Sequence, residues 1–352
     1  MNRTIVVIAA FLAFLPYGAE SMWAQSPVER MTEFLRSQIG LDDEELRRVR
    51  AGEVYTKVLD TDEDTEVAIF GVVRVHVPVD YFVAWHEDIE HFESGDAVLA
   101  IRKIGTPPRI EDFAALELSD EDMEALSKCR LGDCEVKVTE NILGRLHIEI
   151  DWSSPGAKEA ATRLLHQMAL EGVEEYVKEG DASLGAYRDK KRPSFIEEEF
   201  DALLASSPYL MEYVPELHRY LDDYPHAELP GVNEFLYWST VKFGLKPTTR
   251  VNHVVFYRRP NGSVAIASKM LYASHYFHTA LELKYVIPDT SDSSTEGFYL
   301  LSFSRSRSDG LTGMFGGLVR RRAQSGALDG LASALASLKR LAEQGYGGAA
   351  PP

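Results

Sequence analysis

The amino-acid sequence predicts an α+β fold in which an antiparallel sheet packs on a long C-terminal helix, with a helical region in the middle of the chain. Three observations support this class: alternating apolar runs after residue 249, a final helix with one leucine face, and capped helical segments between residues 154 and 221. Hydrophobic residues make up 45% of the 352 residues and aromatic residues 10%. This content is enough to fill a core, so disorder is not expected.

The first 24 residues have the layout of a secretory signal peptide. Arg3 precedes the apolar run 5–15, and Pro16 and small residues follow it, with candidate cleavage sites after Ala19 and Ala24. The run is about eleven residues long, whereas a helix needs about 20 apolar residues to cross a bilayer. The sequence therefore predicts an exported protein, periplasmic or secreted, that is soluble or at most peripheral to a membrane.

Short helices and strands alternate in the region that follows the signal peptide. Period-two alternation of β-branched residues indicates the strands, and proline or glycine marks where the helices begin and end. One or two short helices are predicted within 28–50 and a further helix at 78–95. The predicted strands span 54–59, 66–77, 97–104 and 113–118.

The middle of the chain is predicted to be helical. A serine–proline pair at 154–155 supplies an N-cap and a first-turn proline for a helix that runs to Gly180. Residues 194–197 match a capping box, and a second serine–proline pair at 207–208 begins another helix. Prolines cluster at 225–230, which places the boundary between this region and the C-terminal strands there.

Cys129 and Cys134 are the two cysteines of the chain, and Gly132 between them permits a tight turn. In an oxidising compartment this spacing predicts a local disulfide. Because closing a short loop removes little chain entropy, the bond is expected to stiffen a turn more than to hold the fold together. No second Cys/His pair has zinc spacing and no C-x-x-C-H motif is present, so no cofactor or metal is expected.

Four alternating runs and a helix form the last third of the chain. The helix carries leucines at 328, 331, 335 and 338 on one face, and the tail 344–352 is expected to be disordered. A glycine-rich apolar loop, 310–317, joins the last strand to this helix. The four predicted strands span 250–257, 264–272, 277–287 and 298–303.

This order of elements resembles the helix-grip fold of the START and Bet v 1-like superfamily. Residues 234–343 carry the resemblance, which implies a curved sheet wrapped around the final helix and an apolar cavity between them. The segments 54–77 and 97–118 then complete the sheet in one continuous domain, and the alternative is two units, 25–225 and 231–343. The run Ala267–Phe277 also resembles a segment in a family of exported bacterial proteins, which implies no activity.

The net charge of −18 is distributed unevenly along the chain. Residues 25–240 carry about −25, whereas residues 241–352 carry about +7. Because nucleic acids require a basic surface, an acidic protein of this kind is not expected to bind them. The basic last third of the chain either binds an anion, such as the headgroups at a membrane surface, or forms a solvated face whose positive charge offsets the negative charge of the acidic part.

A dense polar cluster at 269–278 and an arginine pair at the end of the last strand supply the candidate site residues. We predict that they bind a small apolar or lipid-like ligand between the sheet and the terminal helix. Arg305 and Arg307 are expected to hold an anionic head at the mouth of this cavity, and Phe315 to form an apolar lip. The predicted ligand-binding residues are Lys269, Tyr272, His275, Phe277, Arg305, Arg307 and Phe315.

Two other functions stay open on the sequence alone. The region Tyr272–His278 offers groups for acid/base catalysis, and the large acidic helical region favours a partner-binding protein of the cell envelope. If no bulge intervenes, His275 and His278 lie on opposite strand faces and do not share a metal ion. A serine nucleophile is not indicated, because no G-x-S-x-G motif is present.

Export and oxidation can be tested together. The protein recovered from outside the cytoplasm should begin at Glu20 or Gln25, as N-terminal sequencing or intact mass would show. Its two cysteines should resist alkylation until a reductant is added, because the disulfide protects both thiols. Recovery of the chain with Met1 intact, or with two free thiols, would contradict the prediction.

Overall fold

The computed structural model describes residues 26–244, 246–290, 296–313 and 316–347, so the predicted signal peptide and Phe315 lie outside the described residues. Its strands are β1 (Tyr55–Leu59), β2 (Glu66–Val75), β3 (Val98–Lys103), β4 (Ala186–Tyr187), β5 (Ser194–Phe195), β6 (Val232–Phe243), β7 (Lys246–Arg258), β8 (Val264–Ala273), β9 (Phe277–Pro288) and β10 (Phe298–Ser308). Eight of these described strands form one antiparallel sheet in the order β1-β2-β10-β9-β8-β7-β6-β3, and β4 pairs with β5.

Helices precede, interrupt and follow the strands. None of the described helices is long and apolar enough to cross a membrane. They are α1 (Pro27–Phe34), α2 (Asp43–Arg50), α3 (Val79–Glu87), α4 (Ile89–Phe92), α5 (Asp120–Lys128), α6 (Glu140–Glu149), α7 (Ala157–Glu179), α8 (Ile196–Ala205), α9 (Pro208–Tyr213), α10 (Pro215–Asp222) and α11 (Gly316–Tyr346).

Helices cover both faces of the large sheet. On one side, which we call the α8 face, α1, α2 and α8–α10 pack on strand residues such as Phe70 and Phe303. On the other side, the α11 face, α3, α4 and α11 pack on residues such as Val73 and Phe256. Successive strand residues point to opposite faces, so the central strands are apolar at most positions. This two-sided burial explains why the last third of the sequence shows both alternation and long apolar runs.

The fold class predicted from the sequence is confirmed, since a large antiparallel sheet carries a long C-terminal helix. Leu331 and Leu335 of α11 contact β2 at Gly71, where a Cβ atom would lie 2.5 Å from a methyl carbon of Leu335. A side chain at Gly71 would therefore require the side chains of Leu331 and Leu335 to shift. α11 continues to Tyr346, into the segment that the sequence predicts as disordered.

Three local predictions are wrong, and one strand was missed. The helix expected from the serine–proline pair at 154–155 begins instead at Ala157, after Gly156, and has no side-chain cap. Residues 113–118 are not a strand, because a short 3-10 helix at Ile110–Phe113 turns the chain there. The capping box at Ser194 does not form, since β5 occupies that position and α8 begins at Ile196 without a side-chain cap. β6 was not predicted, because its large apolar side chains fall on both faces and obscure the alternation.

Cys129 and Cys134 form a disulfide bond, as the sequence predicts. The loop they close is tied to a neighbouring segment, because the Gly132 N–H donates to the Arg188 carbonyl at 2.7 Å and the Cys134 N–H donates to the Asp189 carbonyl at 3.0 Å. Both cysteines are buried in the apolar cluster of α5, α6 and α7. The bond therefore stiffens the connection between α5 and the strand-like segment that follows it.

Replacing Leu335 by alanine should lower the free energy of unfolding by about 2–5 kcal/mol, because it leaves a cavity over Gly71. The matched control is Ser337→Ala, which changes an exposed side chain on the same helix and should shift stability by less than about 0.5 kcal/mol. Urea unfolding followed by circular dichroism measures both. Equal effects from the two variants would contradict the packing described for α11.

Candidate functional site

An apolar cavity lies on the α8 face of the sheet, between α5, α6 and α7 and the ends of β7 and β8. Its volume is about 220 Å³. The sequence predicts a cavity on the opposite face, beside α11, but there Leu335 packs directly against Gly71. The apolar side chains around the cavity include Leu126, Val136, Val138, Ile142, Leu165, Met168, Val173, Val251 and Leu271.

Two tyrosines contribute their rings to the cavity wall, Tyr176, which is buried, and Tyr272, which is half-buried. Their hydroxyl groups bind elsewhere in the protein. The Tyr176 hydroxyl is hydrogen-bonded to Nδ1 of His253 at 2.9 Å, and the Tyr272 hydroxyl donates to the Lys137 carbonyl at 3.0 Å. Burial raises the pKa of both hydroxyls, which keeps them neutral. Because these polar groups already have partners, the cavity offers a ligand mainly ring and alkyl surface.

A register shift in β8 directs two successive residues to this cavity. The pairing between β7 and β8 slips by one residue between Val251 and Asn252, which leaves Leu271 as an extra residue. Leu271 and Tyr272 both line the cavity, although regular alternation would send one of them to the opposite face. The bulge therefore widens the apolar wall by one side chain.

Val136 and Val138 line the cavity, and the segment that carries them is hydrogen-bonded to neighbouring segments on both sides. The Lys137 N–H donates to the Ser274 carbonyl at 2.8 Å, and the Arg188 N–H donates to the Val138 carbonyl at 2.7 Å. Alternation places the two valines on the cavity side and turns the Lys137 side chain away from it. The Lys137 ammonium then forms a 2.6 Å ion pair with Asp309.

The mouth of the cavity runs along α7. Gly172 and Glu175 lie there at exposed positions, together with Asn141 of α6. A Cβ atom built on Gly172 would meet no atom within 4 Å, so the helix leaves open space at this point. Glu171 also lies at the rim and is paired with Arg145. The rim is therefore polar and acidic, whereas the interior is apolar.

A second pocket, which we call the polar pocket, lies at the end of β10 and has a volume of about 510 Å³. Its walls come from the β1–β2 loop, the segment 190–195, the first turn of α8 and the ends of β9 and β10. The residues with polar side chains that line it are Glu63, Thr65, Lys190, Arg192, Ser194, Glu198, Glu199, His278, Arg307, Ser308, Asp309 and Thr312.

His278 reaches the polar pocket through a second register shift. The pairing between β9 and β10 slips between Arg307 and Ser308, which leaves His278 as the extra residue. The regular alternation that the sequence suggests from His275 onward is therefore wrong, because β9 begins only at Phe277 and is bulged at its second residue. As a result His278 contacts α8 rather than the α11 face.

Both ring nitrogens of His278 face carboxylates. Nδ1 lies 3.2 Å from Glu199 Oε1, and Nε2 lies 2.7 Å from Asp309 Oδ1. Burial opposes the charged form of His278, but these hydrogen bonds outweigh it and raise its pKa. Burial likewise opposes ionisation of Asp309, but His278 and Lys137 lower the pKa of that carboxyl to about 2.

This geometry does not support His278 as a general base for a serine nucleophile. The Ser194 hydroxyl oxygen lies 3.5 Å from Nε2, but that nitrogen also faces Asp309 at 2.7 Å. An imidazolium that donates both N–H groups to carboxylates has no lone pair with which to accept a proton. The contacts therefore hold His278 as a buried cation between two acids.

The predicted ligand-binding residues are spread over several places. Tyr272 lines the apolar cavity, and Arg307 lines the polar pocket, where its Nε forms a 2.6 Å ion pair with Glu199. Lys269 is buried under α8, where it pairs with Asp181 and lies 3.5 Å from the centre of the Phe200 ring. The structure does not bring these three predicted residues into one site.

The other predicted residues within the described chain make structural contacts. Arg305 forms a buried ion pair with Glu66 of β2. His275 is buried, and its Nε2 lies 3.0 Å from Oδ1 of Asp122 in α5. The Phe277 ring packs against an aromatic residue at the end of β6. These contacts anchor the helical region and the edges of the sheet rather than line a cavity.

The sequence analysis missed the helical side of the apolar cavity. Ala161, Leu164 and Met168 form the buried face of α7, a pattern that predicts burial of one helix face. That pattern does not show whether the face packs tightly or leaves a void, because the answer depends on which strand residues lie opposite. The missing information is therefore the register of β8.

No protein-family model, no curated protein and no solved structure matches this chain. The helix-grip resemblance accordingly stays a prediction. Among the described residues, no group of three or more His, Cys, Asp and Glu side chains is arranged to hold a metal ion. The function is therefore inferred from the geometry of the two pockets.

The ion contacts of His278 should make stability depend on pH. The folded-state pKa is raised above the ordinary value of about 6.5, so the stabilisation is complete below that value and is lost as the pH rises through the folded pKa. His278→Gln should therefore lower the free energy of unfolding by about 2 kcal/mol near pH 6, and by less at alkaline pH. Urea unfolding across the pH range measures this difference.

His147→Gln is the control for this experiment, because His147 is an exposed histidine on α6. Its stability should follow that of the unchanged protein at every pH. As the pH falls from about 4 towards 2 the His278 contribution should also fade, because the pKa of Glu199 is lowered and that of Asp309 is about 2, so these carboxyls take up protons in the unfolded chain before they do in the folded protein. A difference between His278→Gln and the unchanged protein that is the same at every pH would contradict the network.

Proposed function

We propose that this protein is exported and binds a small apolar or amphipathic ligand in the cavity under α7. The observation that carries the proposal is the cavity itself, because folded interiors are close-packed and contain few voids larger than a water molecule. An apolar space of about 220 Å³ leaves its lining residues without contacts, which a bound apolar group would restore. The disulfide supports the export part, since such bonds persist mainly in oxidising compartments.

The size of the cavity limits the ligand. An apolar protein cavity of about 150 Å³ holds a benzene molecule, and pockets for drug-sized ligands begin near about 300 Å³. The cavity of about 220 Å³ therefore suits a single ring or a short alkyl chain, with the rest of the molecule at the mouth. Long two-chain lipids are too large for it as it stands.

The chemistry at the mouth differs from the sequence-based expectation of an anionic head held by arginines. Arg305 pairs with Glu66 and Arg307 with Glu199, so neither guanidinium lies at this mouth. The exposed groups there include Glu175 and Asn141. A neutral or positively charged head is therefore favoured over a carboxylate or phosphate, because like charges repel.

The test is a substitution that fills the mouth without disturbing the fold. Gly172→Leu places an alkyl side chain where a Cβ meets no atom, and it also removes a glycine from the interior of α7. Glycine costs about 1 kcal/mol relative to alanine in a helix, so the variant should be at least as stable as the unchanged protein. Compared with the unchanged protein, it should bind the neutral fluorescent probe N-phenyl-1-naphthylamine about tenfold more weakly. The same loss is expected for short alcohols, measured by their displacement of the probe.

Gly172→Ala is the matched control, because it gives the same helix stabilisation but adds only one methyl group. Its affinity for the probe should stay close to that of the unchanged protein, and thermal unfolding would verify that both variants are folded. Absence of probe binding by the unchanged protein would contradict the proposed function. Equal binding by Gly172→Leu and Gly172→Ala would place the ligand outside this cavity.

A further inference from the structure

The polar pocket carries a second, independent set of binding groups. Its inner part holds charges that already have partners, because His278 contacts Glu199 and Asp309, and Arg307 contacts Glu199. This inner network is rigid, since His278 is only 8% exposed and its ring is held on both sides. The network thus forms a fixed charged wall of the pocket.

The outer part of the polar pocket differs, because it is lined by positively and negatively charged side chains that do not form ion pairs. Among the described residues, the guanidinium of Arg192 has no ion-pair or hydrogen-bond partner, and neither carboxylate of Glu63 or Glu198 has one. All three side chains are exposed and border the same pocket. Opposite charges in one pocket that are too far apart to pair are complementary to a ligand that carries both signs.

Arg307 is a second, partly paired cation of the polar pocket. Its Nε contacts Glu199 and one Nη donates to the Thr65 hydroxyl at 3.3 Å, which leaves further N–H groups of the guanidinium for a ligand. A guanidinium matches the geometry of a carboxylate. Hydroxyl groups of Ser308 and Thr312 also line the pocket and supply neutral donors and acceptors. The pocket therefore offers a ligand charged and hydroxyl groups.

We propose that the polar pocket binds a small zwitterion of the dipeptide class. Arg192 and Arg307 bind its carboxylate, and Glu63 and Glu198 bind its ammonium group. A volume of about 510 Å³ falls within the range of about 300–1,000 Å³ found for small-molecule sites, so the pocket accommodates a solute of this size. Because Arg192 forms no ion pair within 4 Å with Glu63 or Glu198, a ligand whose charged ends lie several bonds apart fits better than a single α-amino acid.

The experiment compares four probes by isothermal titration calorimetry: alanyl-alanine, its N-acetyl derivative, its C-terminal amide and alanine. Only alanyl-alanine presents both charges at the expected separation, so it should bind most tightly, and its affinity should fall with added salt. Arg192→Gln should weaken alanyl-alanine and the N-acetyl form about fivefold, as for one exposed ion pair, and leave the amide unchanged. Glu198→Gln should weaken alanyl-alanine and the amide and leave the N-acetyl form unchanged.

Neighbouring residues of the same charge provide matched controls. Lys191 and Glu197 are exposed, lie next to Arg192 and Glu198 in sequence, and do not line the pocket. Lys191→Gln and Glu197→Gln change the net charge equally and should leave binding of all four probes unchanged. The proposal is overturned if the unchanged protein does not bind alanyl-alanine, or if the pocket variants behave like these controls. Neither outcome affects the apolar cavity, which lies elsewhere on the α8 face.

Discussion

The buried ammonium of Lys137 holds together, through ion pairs, the segments that line both pockets. It lies 2.6 Å from Asp309 and 3.9 Å from Asp189, and it is almost fully shielded from solvent. Removing one partner of a buried ion pair typically costs about 3–5 kcal/mol, since the other charge is left uncompensated. Val136 and Val138, the residues on either side of Lys137, line the apolar cavity. Asp309, which pairs with Lys137, also contacts His278 in the polar pocket.

Both pockets occur where the pairing of two central strands slips by one residue. The shift in β8 adds Leu271 to the wall of the apolar cavity, and the shift in β9 turns His278 toward α8 and the polar pocket. At Gly71, by contrast, Leu335 of α11 packs directly against the sheet. A β-bulge leaves one residue of a strand unpaired and redirects its side chain, while the strands on both sides of it stay paired. In this protein the two bulges direct side chains into the two pockets.

The two cavity tyrosines and His278 already have hydrogen-bond partners within the protein. In the apolar cavity, the hydroxyls of Tyr176 and Tyr272 already have hydrogen-bond partners, so ring surface remains. In the polar pocket, His278 donates to two carboxylates and keeps no lone pair for proton transfer. These hydroxyls and this imidazole therefore make fixed contacts within the fold and are not free to accept a proton.

The sequence by itself determined the fold class, most strand and helix positions, the leucine face of α11 and the disulfide of Cys129 with Cys134, because periodicity and cysteine spacing are local properties. It did not determine the sites. The face that Leu271 or His278 occupies depends on register shifts. Arg305, predicted to bind a ligand, instead forms an ion pair with Glu66, which is far away in sequence. Only the tertiary structure decided these points, since strand register and long-range charge pairing are set by partners that lie far apart along the chain.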